Sequence, residues 1–244
     1  MPFSNDELER YARQTSMRGW GVEGQERLAA ARVFVAGVGG LGCAAGAYLA
    51  TAGVGHIAVC DADHVERSNL NRQFLYNRMD VGHDKAPIAA ERLAAMNASV
   101  DVRALTLEID HLTALELVQG HDLVIDGLDN LETRFALNRA CIAAGVPMIY
   151  AAAADFTGYL SFLKPPETPC LECFIGRTPP PVEPAIPGCT PGVLGALEAM
   201  EAIKFLTGVG DVLAGRLLIM EGADPRFDVV EIERDPGCPA CRGL

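Results

Sequence analysis

RVFVAGVGGLGCAAGAYLATAGVGHIAVCD, from Arg32 to Asp61, is the stretch that decides the fold. Arg32 to Gly37 (RVFVAG) reads as a buried strand, Leu41 to Ala52 as a helix and Ile57 to Asp61 as a second strand, so the three make one βαβ unit with parallel pairing. No charged side chain occurs between Val33 and Gly55, a length close to that of a membrane span. Glycines at 37, 39, 40, 42, 46, 53 and 55 break that span, and a strand, a turn and a buried helix account for it better.

The turn itself is Gly37-Val38-Gly39-Gly40-Leu41-Gly42. Glycine permits positive φ and lets backbone N–H groups approach a phosphate closely, and the helix N-terminus adds favourable partial charge. Asp61, 24 residues past Gly37, is placed to accept hydrogen bonds from a ribose. The fingerprint describes an adenine nucleotide on a Rossmann unit and leaves NAD, FAD and ATP open; a tight turn without a ligand is the plain alternative.

Outward from this unit the β/α alternation continues. Residues 5 to 30 read as helical, 84 to 97 as an Ala-rich helix, 100 to 109 as a strand, 112 to 119 as a short helix and 122 to 126 as a strand. Asn130 to Gly145 follows as a helix with Asn130 as N-cap and Gly145 as its stop. Beyond Met148 come strand-like MIYAAA and GYLSFLK, then six prolines between Thr178 and Pro191, expected to form a crossing loop. Val193 to Leu206 reads as an amphipathic helix, and LLIMEG and FDVVEIE as two closing strands. The expected fold class is α/β, a Rossmann-like doubly wound sheet that is mostly parallel in its N-terminal part and continues into antiparallel strands. The expected organisation is a single domain: N-terminal helices to residue 30, a nucleotide-binding part over 31–147, and a part over 148–244 that holds the crossover loop.

Composition narrows the function classes. Half of the 244 residues are apolar, enough for a sizeable core. A formal charge of −12 argues against a nucleic-acid partner. The polar N-terminus lacks the apolar core of a secretory signal, so a cytoplasmic protein with no membrane attachment is expected.

Ser68-Asn69-Leu70-Asn71-Arg72-Gln73, with Lys85 thirteen residues after Arg72, supplies more polar and cationic chemistry than a dinucleotide needs. A triphosphate does need it: Arg72 offers a bidentate fork and Lys85 a point charge. A solvated polar loop is the alternative. Asp129 and Asn130 close a strand at Asp126-Gly127-Leu128, where open α/β sheets present their crevice; Asp129 is a candidate Mg²⁺ ligand or a helix cap.

Cysteine spacing adds a metal. Cys170-x-x-Cys173 and Cys238-x-x-Cys241 are two knuckles able to complete a tetrahedral, structural Zn²⁺ site, with a redox disulfide as the alternative. Cys43, Cys60 and Cys141 are expected to be small buried hydrophobes.

Together, Tyr11-x-Arg13-Gln14, GVGGLG at 37 to 42, Asp61-x-Asp63, SNLNRQ, Lys85, Asp129-Asn130 and the GVLG…EAMEAIK helix resemble the ThiF/MoeB/HesA family of ubiquitin-activating-enzyme-like adenylyltransferases over nearly the whole chain. The resemblance implies that Asp61 binds the ribose of ATP, that Asn69, Arg72 and Lys85 bind its phosphates, and that Asp129 holds magnesium. It also implies that Arg13 reaches into the nucleotide site of a partner subunit, hence a homodimer. Cys189 becomes a candidate thiol nucleophile, although only Thr190 and Pro191 separate it from Gly192, one residue fewer than the family pattern. The expected reaction is adenylation of the C-terminal glycine carboxylate of a ubiquitin-like sulfur-carrier protein ending in Gly-Gly. With three residues after Cys241 and no room for a sulfurtransferase domain, sulfur is expected from a separate donor. An NAD-binding oxidoreductase, or adenylation of a short peptide C-terminus, are the rival readings.

Overall fold

The fold follows from how completely its central strands are covered. In the computed structural model, which describes residues 3–175 and 185–244, β1 (Arg32–Ala36) and β2 (His56–Cys60) are buried over all but their first residue. That is how parallel strands with helices on both faces must read. β3 (Asp101–Leu105), β4 (Leu123–Asp126), β5 (Met148–Ala154), β6 (Thr157–Leu163), β7 (Arg216–Glu221) and β8 (Arg226–Glu231) complete one eight-stranded sheet in the order β3-β2-β1-β4-β5-β6-β7-β8. The first five in this order pair in parallel and the last three antiparallel.

One face carries α2 (Gly21–Ala30), α3 (Gly40–Ala52), α4 (Lys85–Met96) and α8 (Cys189–Thr207), whose Leu28, Leu49, Leu93 and Leu194 enter one core. The other carries α5 (Ala114–Val118), α6 (Leu131–Ala144) and α7 (Leu171–Phe174), packed through Leu117, Leu137 and Leu171. The chain order reverses between β1 and β4, and the register sets Ala36 beside Cys60 on one side and Asp126 on the other. Gly37, Asp61 and Gly127, each one residue further on, therefore lie together at the carboxyl edge, the switch point where such sheets bind ligands.

Local rules hold where they were expected. The Asn130 side chain accepts the Thr133 N–H at 2.9 Å, and Gly145 at φ 68° ends α6. Several expectations need correction. The helical stretch 5–30 is two helices, α1 (Asn5–Thr15) and α2, because residues 16–20 turn through Gly19 at φ 86°. The expected strand 100–109 stops at Leu105, since its only ladder partner, β2, stops at Cys60. The helix expected over 112–119 covers only Ala114–Val118.

The largest correction concerns α8, which starts at Cys189 rather than Val193. Cys189, placed by its prolines in a loop, occupies the first helical turn and is exposed. Pro191 is tolerated there because N–H groups of a first turn have no intrahelical acceptor to lose. Residues 178–184 of the proline-rich segment lie outside the described residues. Among the described residues, no helix is long and apolar enough to cross a membrane.

Candidate active site and cysteine cluster

Glycines build the crevice by allowing backbone to touch backbone. A Cβ on Gly42 would lie 2.0 Å from the Gly37 carbonyl oxygen, and one on Gly127 would lie 2.5 Å from the same atom. The β1–α3 turn and the β4–α6 loop are thus in direct contact through Gly127 and Leu128, two residues and one residue before Asp129. From the other side, a Cβ on Gly40 would meet Pro191 at 3.0 Å and Arg72 at 3.6 Å, and Gly39 faces the Gln73 side chain. The structure therefore gathers Gly37, Gly39, Gly40, Gly42, Arg72, Gln73 and the start of α8 around one cradle. The close approach of Gly188 to Asn71 and Arg72 seats Cys189 at its rim.

A chain of hydrogen bonds joins the cradle to the acidic and basic side chains. Asp61 accepts the Val38 N–H through Oδ2 and the Asp63 N–H through Oδ1, both at 2.9 Å. Burial pushes the Asp61 carboxyl above its ordinary range, against the pull of the Lys85 charge and of those two amides. Tyr76 donates its buried hydroxyl to the Val38 carbonyl at 3.0 Å. Lys85, on the first turn of α4, donates to Asp63 at 2.8 Å. The N–H and the carbonyl of Val38 are thus both held, which anchors the turn at this residue.

The SNLNRQ segment forms a short 3-10 turn over Arg67–Asn69. Asn69 is buried and its Oδ1 accepts the Glu66 N–H, which leaves its amide nitrogen as the side-chain group that could donate to a ligand. Ser68 donates to Glu66, and Arg72 Nη1 donates to the Ser68 carbonyl and to Asn71, each at 3.1 Å. Asn130 spends its side-chain oxygen on the α6 cap, while Asp129 is exposed beside it. Arg13 is exposed on α1 and stands apart from all of these. Its neighbour Gln14 donates to the Ala52 carbonyl at the C-terminal end of α3, whereas the cradle is at the other end of that helix. Thirteen residues separate them by about 20 Å, which no arginine side chain spans.

Beneath the cradle lies a group the sequence did not flag. Asp126 and Arg134 are fully buried, with Arg134 donating to Asp126, to the Leu128 carbonyl and, at 2.7 Å, to the Ala151 carbonyl. Glu198 on α8 is also fully buried, and among the described residues neither of its carboxyl oxygens has a hydrogen-bond partner. Burial holds it well above the ordinary carboxylate range; the Asp126 charge adds to this and Arg134 opposes it. Its spacing of four from Leu194 and from Ala202, both buried, is the one signal in the sequence. The contacts of Gly127, Tyr76 and Pro191 with the turn have no local signal in the sequence.

The four knuckle cysteines converge away from the crevice. Their sulfurs lie within 4.8 Å of one another, with Cys170–Cys238 at 3.6 Å, Cys173–Cys241 at 3.5 Å and Cys170–Cys173 at 3.8 Å. A tetrahedral zinc with bonds of about 2.3 Å needs sulfurs about 3.8 Å apart, whereas a disulfide needs about 2.05 Å. The donor set fits a closed, structural zinc site, and all four cysteines are free. Glu172, between the first two, pairs with Arg139 through two bonds of 2.8 and 2.9 Å and ties the knuckle to α6. Cys43, Cys60 and Cys141 are buried as expected.

A doubly wound sheet with a glycine cradle at its switch point and an acid after β2 is a Rossmann-like architecture. Residues 11–240 match the ThiF family, and the chain belongs to that family. It is 40% identical over 252 residues to a sulfur carrier protein adenylyltransferase of Thermus thermophilus, covering 99% of this chain and 93% of that one. It is also 40% identical to the mouse adenylyltransferase and sulfurtransferase MOCS3, with 98% of this chain covering 54% of that protein, about half its length. A crystal structure of Escherichia coli MccB with ATP superposes with a TM-score of 0.85 at 25% identity, over 98% of this chain and 74% of that one. The protein is an adenylyltransferase.

Proposed function

We propose that the protein uses MgATP to adenylate the C-terminal glycine carboxylate of a ubiquitin-like sulfur-carrier protein. The observation that carries this reading is the glycine cradle with Arg72 packed against it and Lys85 joined to it through Asp63 and Asp61, chemistry suited to a triphosphate. The Thermus relative, named for a sulfur carrier and matched over almost its whole length, supplies the substrate class.

In this reading Asp61 holds the ribose, and Asn69, Gln73, Arg72 and Lys85 hold the phosphates together with Ser68 and the N–H groups of Gly39 and Gly40. Asp129 is the side chain that would hold Mg²⁺, which neutralises phosphate charge when bound; Asn130 orients the same loop. A carboxylate oxygen of the carrier attacks the α-phosphorus, forming the acyl–phosphate bond as the bond to the β-phosphate bridging oxygen breaks, and pyrophosphate leaves. A C-terminal carboxyl with a pKa of about 3.5 is already ionised at neutral pH, so no general base is needed. Positioning and charge neutralisation carry the step.

In this reading Arg13, which stands at the far end of α3 from its own cradle, enters from a second copy of the chain, and the working unit is a homodimer. Zinc at Cys170, Cys173, Cys238 and Cys241 is structural. Cys189, exposed at the rim, is available to receive the activated carrier before a separate sulfur donor acts. The test is ATP–pyrophosphate exchange with Mg²⁺ and carriers ending in Gly-Gly, using Arg72→Ala as control. Exchange that depends on one carrier and falls at least a hundredfold in the variant is expected. Exchange supported equally by short peptides would move the substrate to a peptide C-terminus.

A further inference from the structure

Asp63 and Lys85 are brought together by backbone before their side chains meet. Residues 63–65 and 82–85 run antiparallel: Val65 N–H donates to the His83 carbonyl at 2.8 Å, Gly82 N–H to the Val65 carbonyl at 2.9 Å and Lys85 N–H to the Asp63 carbonyl at 2.9 Å. A bridge between His64 and Asp84 sits in the same register. The consequence is the 2.8 Å ion pair from Lys85 Nζ to Asp63 Oδ2, in which the lysine side chain is 7% exposed and the aspartate 71%. The lysine is thus fixed and the carboxylate is free to swing into water. Asp63 is also bonded by its own N–H to Asp61, which holds Val38 of the glycine turn, so the pair is part of the cradle.

We infer that Asp63 is a positioning residue that seats Lys85 before the nucleotide arrives, and that MgATP binding transfers Lys85 from this carboxylate to a phosphate. This rests on the reading of Lys85 as a phosphate ligand. In the free enzyme the carboxylate keeps a buried ammonium paired and pointed at the cradle. When a triphosphate enters, Asp63 is a like charge beside it and turns outward to solvent. Asp63 therefore competes with the nucleotide for Lys85 and tunes affinity for ATP without entering the chemical step.

The experiment is a double-mutant cycle read by calorimetric binding of MgATP without carrier, on wild type, Asp63→Asn, Lys85→Met and the double variant. Lys85→Gln replaces Lys85→Met should the latter fail to fold. Asp63→Asn is expected to bind MgATP about two- to fivefold tighter, the range set by partly exposed ion pairs. The KM for ATP in pyrophosphate exchange should fall in proportion. In the Lys85→Met background the same substitution should have no effect. Equal tightening in both backgrounds would reduce Asp63 to general repulsion and overturn the transfer. Weaker binding in Asp63→Asn would make it a co-holder of Lys85 in the complex and overturn it as well. If Lys85→Met itself binds MgATP like wild type, the phosphate role of Lys85 fails first.

Discussion

The parallel and antiparallel halves of the sheet are held together by different means. Around β1, β2 and β4 the strands are buried on both faces and the loops interlock backbone to backbone. In the other half β8 is exposed over most of its length, including Phe227 and Val229, and the C-terminal segment after it returns to a cluster whose fully buried members are Cys170, Cys238 and Cys241. Sulfur replaces a hydrophobic core there. A metal held at such thiolates would itself supply folding free energy to the C-terminal segment, whereas cohesion around the cradle depends on the absence of side chains.

The largest expected effect concerns that metal. Stripping the metal with a chelator, or substituting Cys238→Ser together with Cys241→Ser, should remove one zinc per chain and release the segments around Cys170–Cys173 and 232–244. Hydrogen exchange there should accelerate by orders of magnitude while MgATP binding in the cradle is retained. Elemental analysis with peptide-resolved exchange measures both. Loss of ATP binding in step with the metal would mean that the two halves form one cooperative unit and would erase the distinction.

Next in size is Gly42→Ala. The added Cβ would sit 2.0 Å from the Gly37 carbonyl oxygen and 3.0 Å from its carbon, both backbone atoms that cannot rotate away. A cost of about 4 kcal/mol or more is expected in denaturant unfolding, with nucleotide binding lost. Gly192→Ala in α8 is the control: it meets nothing within 4 Å, and the helical preference for alanine should stabilise it by about 0.5–1 kcal/mol. Equal behaviour of the two variants would show that the cradle yields more than its contacts suggest.

Which parts of this were legible in the sequence follows the same division between local and distant causes. The glycine turn, the SNLNRQ cluster and both CxxC pairs could be picked out because each is a pattern of a few adjacent residues. The doubly wound order was readable from β/α alternation, and the two knuckles met although 64 residues separate Cys173 from Cys238. What escaped depends on packing between remote segments. Gly127 against Gly37, Pro191 over Gly40 and Tyr76 on the Val38 carbonyl are contacts that no local pattern announces. The start of α8 was misread for a related reason: six prolines marked a loop, yet the last of them stands where a helix accepts proline.

Glu198 lies at the seam between the halves, on the helix that packs against both α3 and β6, and it gives the smallest of the three effects. Its folded-state pKa is raised, mainly by burial, so above the ordinary carboxylate value the unfolded chain gives up this proton while the native one keeps it. The unfolded state then binds fewer protons, and the contribution of this group to stability falls as pH rises from about 4.5 toward the folded pKa. Glu198→Gln keeps the shape and removes the titration. It should be about 1–3 kcal/mol more stable than wild type at pH 7, with the advantage shrinking toward pH 5. Thermal melts across that range measure the difference. A variant that loses stability equally at every pH would show instead that the carboxyl makes a hydrogen bond, through a buried water or to Asp126 Oδ2, and that the seam is held by this bond.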